Sequence, residues 1–213
     1  MTRIIDQGLE EQSVLLLRMG ELAYETLASA IHGYFEDKNV QPHVKEMSDL
    51  IVAMAEKVED KTFELIVRFQ PVASDLRTIK SHMKISNDFS RYSRYALDIS
   101  NITHQLHGLE PCKTWIQDNL INMGDKVLFM VKTSIDALRK HDVNLAKTIS
   151  PIEREIDQMY EDFINKLSQE ETNNKCVASN ILLTRYFERI ADHAVYACEA
   201  IVYIVTGEKI SLE

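Results

Sequence analysis

Apolar residues recur along this chain in steps of three and four. Leu9, Leu16, Met19, Ala23 and Ala30 keep that step in the first segment, and Ile116, Leu120, Met123, Val127, Met130 and Ala137 keep it in the fourth. A fifth stripe runs Ile149, Ile152, Ile156, Met159, Phe163 and Leu167, and a sixth runs Phe187, Ile190, Ala194, Ala197, Ile201 and Ile204. Such steps keep residues on one side of a 3.6-residue turn, so each stripe predicts a helix packed along one face. No stretch alternates with period two over a useful length, and strands are not indicated.

Polar breaks divide the stripes. "EDKNVQPHV" (36–44) ends the first helix, and "QPVASD" (70–75) ends the second. "HGLEP" (107–111) pairs a glycine stop with a proline restart; "RKHDVN" (139–144) and "SQEETNNKC" (168–176) are polar turns, and "TGE" (206–208) closes the last helix. The expected fold is all-α, with six long helices. "FSRYSRYA" from Phe89 matches "FERIADHA" from Phe187: the phenylalanines, Arg91 with Arg189, and Ala96 with Ala194. Each copy sits in the third helix after a major break. Repetition on this scale predicts two tandem, repeat-related three-helix bundles, at 1–109 and 110–213.

Composition sharpens this reading. Among 213 residues there are only six Gly and four Pro, which favours long helices with short connections. The net charge of −9 argues against nucleic acid as a partner and for attraction of cations. Three cysteines, Cys112, Cys176 and Cys198, lie far apart without a C-x-x-C pair, so reduced thiols are expected. An acid at position six interrupts any signal-type apolar run, and no run reaches the roughly 18 residues of a membrane span, so a cytoplasmic protein is expected.

The candidate chemistry is acidic. Glu188 and Asp192 lie one turn apart on the last helix, and Glu153, Asp157 and Glu161 form a similar row on the helix before it. If the two helices are neighbours, their carboxylates face one shallow groove, a donor set suited to hard or borderline cations. An acidic row is equally the pattern of a solvated helix face, and Arg154, Arg185 or Arg189 could neutralise it. Both readings stand on spacing alone. A ferritin-like di-iron site is disfavoured because no Glu-x-x-His occurs. His104 and His107 share a helix face but lack further ligands for zinc, and His193 points away from Asp192. No Gly-rich phosphate loop, G-x-S-x-G elbow or nucleophile with an activating base is visible, so an enzyme is not indicated.

"RYFERIADHAVYACEAIVYIVTGE" (185–208) resembles the C-terminal helix of the PhoU family. "QPVASDLRTIKSHMKISND" (70–88) and "ISPIEREIDQMYEDF" (149–163) resemble two further segments of it, and the likeness spans essentially the whole chain. The resemblance implies two three-helix bundles, often paired as a homodimer. It implies a cytoplasmic regulator that works with components of a phosphate ABC transporter, reaches the membrane only through that transporter, and signals to a sensor histidine kinase. It also implies a multinuclear carboxylate site for divalent or trivalent metal ions (iron, zinc, manganese or nickel) at Glu153, Asp157, Glu188 and Asp192. The first repeat departs from the family pattern, with Ser90 and Arg94 in place of the acids, so metal is expected on the second repeat only. Arg94 either neutralises Glu56 or Asp60 or stands as an ordinary exposed arginine on a helix face. A metal-dependent hydrolase or oxidase, a metal-free helical scaffold, and a regulator of another ion transporter are the competing functions.

Overall fold

The computed structural model describes residues 3–106, 113–169 and 174–212. Its described elements are α1 (Ile4–Phe35), α2 (Gln41–Phe69), α3 (Ala73–Leu106), α4 (Thr114–Lys140), α5 (Val143–Lys147), α6 (Ser150–Leu167) and α7 (Asn174–Thr206). Six are the long helices of the hydrophobic stripes. The addition is α5, a single turn that Asp142 nucleates by accepting the Leu145 N–H at 3.0 Å. The sequence read that stretch as a polar turn, because one turn of helix is too short to display a stripe.

Local chemistry explains the ends. Gln70 and His141 take left-handed backbone conformations just past α2 and α4, and Pro42 and Pro151 stand in the first turns of α2 and α6. At the start of α1, Arg3 binds Asp6 and also reaches Asp75 at the head of α3, at 2.8 Å. The break expected at "HGLEP", with the repeat boundary at 109/110, lies outside the described residues.

Helices α1, α2 and α3 pack as one bundle, and α4, α6 and α7 as another. The bundles meet where α1 lies against α4 and α3 against α7. One core runs through both: Leu16, Met19, Leu27, Ile51, Phe89 and Tyr92 are continuous with Met123, Val127, Ile156, Phe163, Phe187 and Ile190. The repeat is visible in its packing. Phe89 lies over Gly20 of α1, where a Cβ would meet its ring at 2.6 Å, and Phe187 lies over Gly124 of α4, where a Cβ would sit 3.4 Å away. Each bundle thus seats an aromatic ring from its third helix on a glycine of its first.

The first bundle also buries a polar cluster. Gln12 Nε2 donates to Thr62 Oγ1 at 2.8 Å, and Gln12 Oε1 lies 3.1 Å from His82 Nδ1. Gln12 can only accept there, so His82 carries its proton on Nδ1. Burial pushes the His82 pKa down to about 4. The thiols depart from expectation in one place. Cys198 is free and buried, but Cys176 is disulfide-bonded. Distance along the chain says nothing about which thiols a bundle brings together.

Candidate metal centre

Helices α6 and α7 are neighbours, and their packing decides which acids converge. On α6 the buried stripe passes through Ile156 and Phe163, and on α7 through Phe187, Ile190 and Ala194. The carboxylates of Glu153 and Asp157 leave α6 beside that stripe, and Asp192 leaves α7 opposite them. One oxygen from each lies within 4.8 Å of the others. Glu153 is only 4% exposed, too deep for a solvated helix face, and Asp157 and Asp192 are half-buried. Glu161, the next acid on α6, stays exposed.

Glu188 stands beside the triad rather than inside it. Arg185 pairs with its Oε1, and Arg189 Nε lies 3.8 Å from its Oε2, an atom that makes no hydrogen bond. Arg189 also lies 3.4 Å from Asp192 Oδ2. Burial raises the Glu188 pKa, the charges of Asp192 and Asp157 add to the rise, and Arg185 and Arg189 oppose it. Three carboxylates at this spacing repel one another, and two flanking guanidiniums relieve part of that. The donor set is all oxygen, which fits hard or borderline cations and fits a soft thiolate-seeking ion poorly.

The equivalent face of the first bundle is built differently. Val52, Ala55, Glu56 and Glu59 of α2 face Met83, Asn87, Ser90 and Arg94 of α3 across a groove of about 590 Å³. Among the described residues no acidic triad forms there. Among the described residues Arg94 forms no ion pair with Glu56 or Asp60, and of the two readings the sequence left open it is the exposed arginine. Its charge acts on Asp98, one turn along its own helix, opposing the upward shift that burial gives that carboxyl.

The sequence missed one tie. His193 Nδ1 lies 2.9 Å from Asp88 Oδ1 and joins α7 to α3, with Tyr95 stacked near His193 and Tyr186. Asp88 is buried, and that burial raises its pKa against the attraction of His193. Both residues lie just outside the aligned acid positions of the two repeats, and only three-dimensional packing could pair them. Of the histidine pair, His104 is exposed and His107 lies outside the described residues.

Two stretches of the chain, residues 16–103 and 120–201, each match the model of the PhoU domain. The chain belongs to the PhoU family. Its similarity to individual PhoU proteins spans most of the chain. It is 31% identical over 219 residues to the phosphate-specific transport system accessory protein PhoU homolog of Clostridium acetobutylicum, covering 100% of this chain and 99% of that one. It is 30% identical to the protein of that description from Pseudomonas putida, covering 93% of this chain and 79% of that one. The crystal structure of PhoU from Pseudomonas aeruginosa superposes with a TM-score of 0.89 at 27% identity, covering 95% of this chain and 99% of that one. The two domain matches bracket the two bundles, so the repeat read from "FSRYSRYA" and "FERIADHA" is the family's own duplication. Among the described residues no helix is long and apolar enough to cross a membrane.

Proposed function

We propose that this PhoU-family chain is an accessory protein of a phosphate-specific transport system, acting by binding rather than by catalysis. The observation that carries this reading is the similarity to proteins of that description, end to end with the one from Clostridium acetobutylicum and over 79% of the one from Pseudomonas putida. In this reading the protein works in the cytoplasm. It engages components of a phosphate transporter, or a sensor kinase, and changes which of their states is populated through differential affinity. Exposed apolar side chains on α2 and α3 support contact with a partner or with a second copy in a homodimer. Phe63 and Val67 of α2 and Leu76 and Met83 of α3 are 57%, 76%, 45% and 38% exposed.

Glu153, Asp157 and Asp192 hold a divalent or trivalent metal in this reading, with Glu188 supplying a further oxygen after release from Arg185. The metal braces α6 against α7. The depth of Glu153 favours this over a solvated acidic face. Elemental analysis of purified protein is the direct test. Metal is expected in the wild type and absent from the Asp157→Asn/Asp192→Asn double variant, and equal content in both would remove the site. For the partner, affinity capture from phosphate-replete cells should recover a phosphate-transporter component or sensor kinase. Recovery of neither would count against the regulatory reading.

A further inference from the structure

Beyond α7, residues 207–212 turn back along the seam between α3 and α7. Gly207 makes the turn at φ +79°, a conformation that side chains disfavour, and a Cβ there would stand 2.3 Å from Arg77 Nη1. The return is anchored at Leu212, which is buried and whose N–H donates to Glu199 Oε1 at 3.0 Å. This path carries Lys209 over the seam and walls a pocket of about 320 Å³ between it and Lys80, Ser81, Lys84, Glu199 and Tyr203. The Arg77 guanidinium lies 5.9 Å from the centre of the Tyr203 ring, and Lys209 Nζ lies 6.0 Å from the same centre.

Three cations, Lys80, Lys84 and Lys209, therefore converge on one pocket of a chain whose net charge is −9, and Arg77 lies near the Tyr203 ring that walls it. Among the described residues Glu199 is the only carboxylate lining it. Lys84 Nζ is 3.9 Å from Glu199 and also rests on the Tyr196 ring. Among the described residues Lys80 and Lys209 form no ion pair. Converging ammonium groups repel one another and raise the free energy of the empty pocket, whereas an anion entering it meets attraction from several sides.

We propose that this pocket binds a phosphoryl-bearing polyanion, held by Lys80, Lys84 and Lys209 with Tyr203 as its wall. Lysines on separate elements act as point charges around a tetrahedral, multiply charged group. A planar carboxylate is better matched by the fork of an arginine. The volume lies at the lower end of ligand pockets, enough for a short inorganic phosphate chain or the phosphates of a nucleotide. The turn at Gly207 makes the site, because without it Lys209 leaves the seam. The acidic triad joins α6 to Asp192, about two turns earlier on α7, and the inference uses none of its residues.

Isothermal titration of the whole chain at low salt, with EDTA present to strip metal, tests it. The probes are inorganic phosphate, pyrophosphate and ATP. Saturable binding of at least one is expected, weakening as salt is raised. Lys80→Ala/Lys209→Ala should weaken it by about tenfold or more, since two charge-assisted contacts are lost. Gly207→Ala should weaken it with every charge retained, while Lys45→Ala, exposed at the start of α2 and beside the far half of α3, should leave it unchanged. Lys80, Lys84 and Lys209 are exposed, so the lysine variants keep their fold, which circular dichroism verifies. ATP binding more tightly than pyrophosphate assigns the site to a nucleotide, and equal affinities assign it to the phosphate chain alone. Absence of saturable binding by all three probes, or undiminished affinity in the double lysine variant, overturns the proposal. Because metal is chelated throughout, that result would leave the acidic triad and the transport reading untouched.

Discussion

Neutralising Asp192 should stabilise the metal-free protein. Its carboxylate shares a 4.8 Å neighbourhood with those of Glu153 and Asp157. Two unit charges 4.8 Å apart repel by about 0.9 kcal/mol in a water-like dielectric and about 3.5 kcal/mol at an effective value near 20. Asp192→Asn removes two such pairs. It also removes the contact with the half-exposed Arg189, worth at most about 1 kcal/mol. Asp157 and Asp192 are half-exposed, so the water-like figure is the nearer one, and the net gain is about 1 kcal/mol, which for a chain of this size raises Tm by about 2–4 °C. Metal should invert the order. A cation at about 1,000 times its Kd stabilises the wild type by about 4 kcal/mol, and the variant, with one ligand fewer, by much less. Differential scanning calorimetry of both proteins, first in EDTA and then across a Mn²⁺ or Fe²⁺ titration, reads both effects. An Asp192→Asn protein that melts lower in EDTA and responds to metal as the wild type does would refute the argument, because the three oxygens would then be neither mutually repulsive nor a metal site.

Acid should weaken the first bundle through His82. With its pKa near 4 in the fold and about 6.5 in the unfolded chain, stability present above pH 6.5 is lost as the pH falls toward 4. At a pH of about 5 the loss is about 2 kcal/mol, and urea denaturation should show it in the wild type and not in His82→Gln. An equal pH effect in both proteins would assign it elsewhere. The two seated glycines should respond in opposite directions. Gly20→Ala drives a methyl to 2.6 Å from the Phe89 ring and costs about 1–3 kcal/mol, whereas Gly124→Ala meets ordinary contacts at 3.4 Å and gains about 0.5–1 kcal/mol of helix propensity. Thermal melts of the two variants decide it, and shifts of the same sign would contradict the packing. Across the seam, a double-mutant cycle on Asp88→Asn and His193→Gln should return a coupling of about 0.5–3 kcal/mol, and additive effects would deny that the pair joins α3 to α7.

The hydrophobic period made the helices legible because each buries a single stripe, and a sequence displays a stripe directly. Acid spacing on α6 and α7 was legible for the same reason. What spacing could not supply was rotation about the helix axes. That rotation buried Glu153, left Glu161 in solvent, and gave Glu188 to Arg185 instead of to the triad. Spacing left Arg94 open between a pair with Glu56 or Asp60 and an ordinary exposed arginine, and the structure has the second, with Asp98 of its own helix within reach of its charge. The lysine pocket was invisible for a further reason. Its cations come from α3 and from the segment after α7, more than a hundred residues apart, and no local pattern records the turn at Gly207 that joins them.

The two bundles meet like with like: α1 against α4 and α3 against α7, the corresponding helices of each repeat. That is the arrangement of an isologous two-fold contact, in which a surface patch is complementary to itself. The seam is therefore a dimer interface captured within one chain, and neither half is a portable module. Separated at the boundary, each half would carry a face made for the other, and the two should recombine with each other or with themselves. Within the single chain, the covalent link frees the two copies from identity. One bundle can keep its acids while the other exchanges them for Ser90 and Arg94, and the shared core still closes.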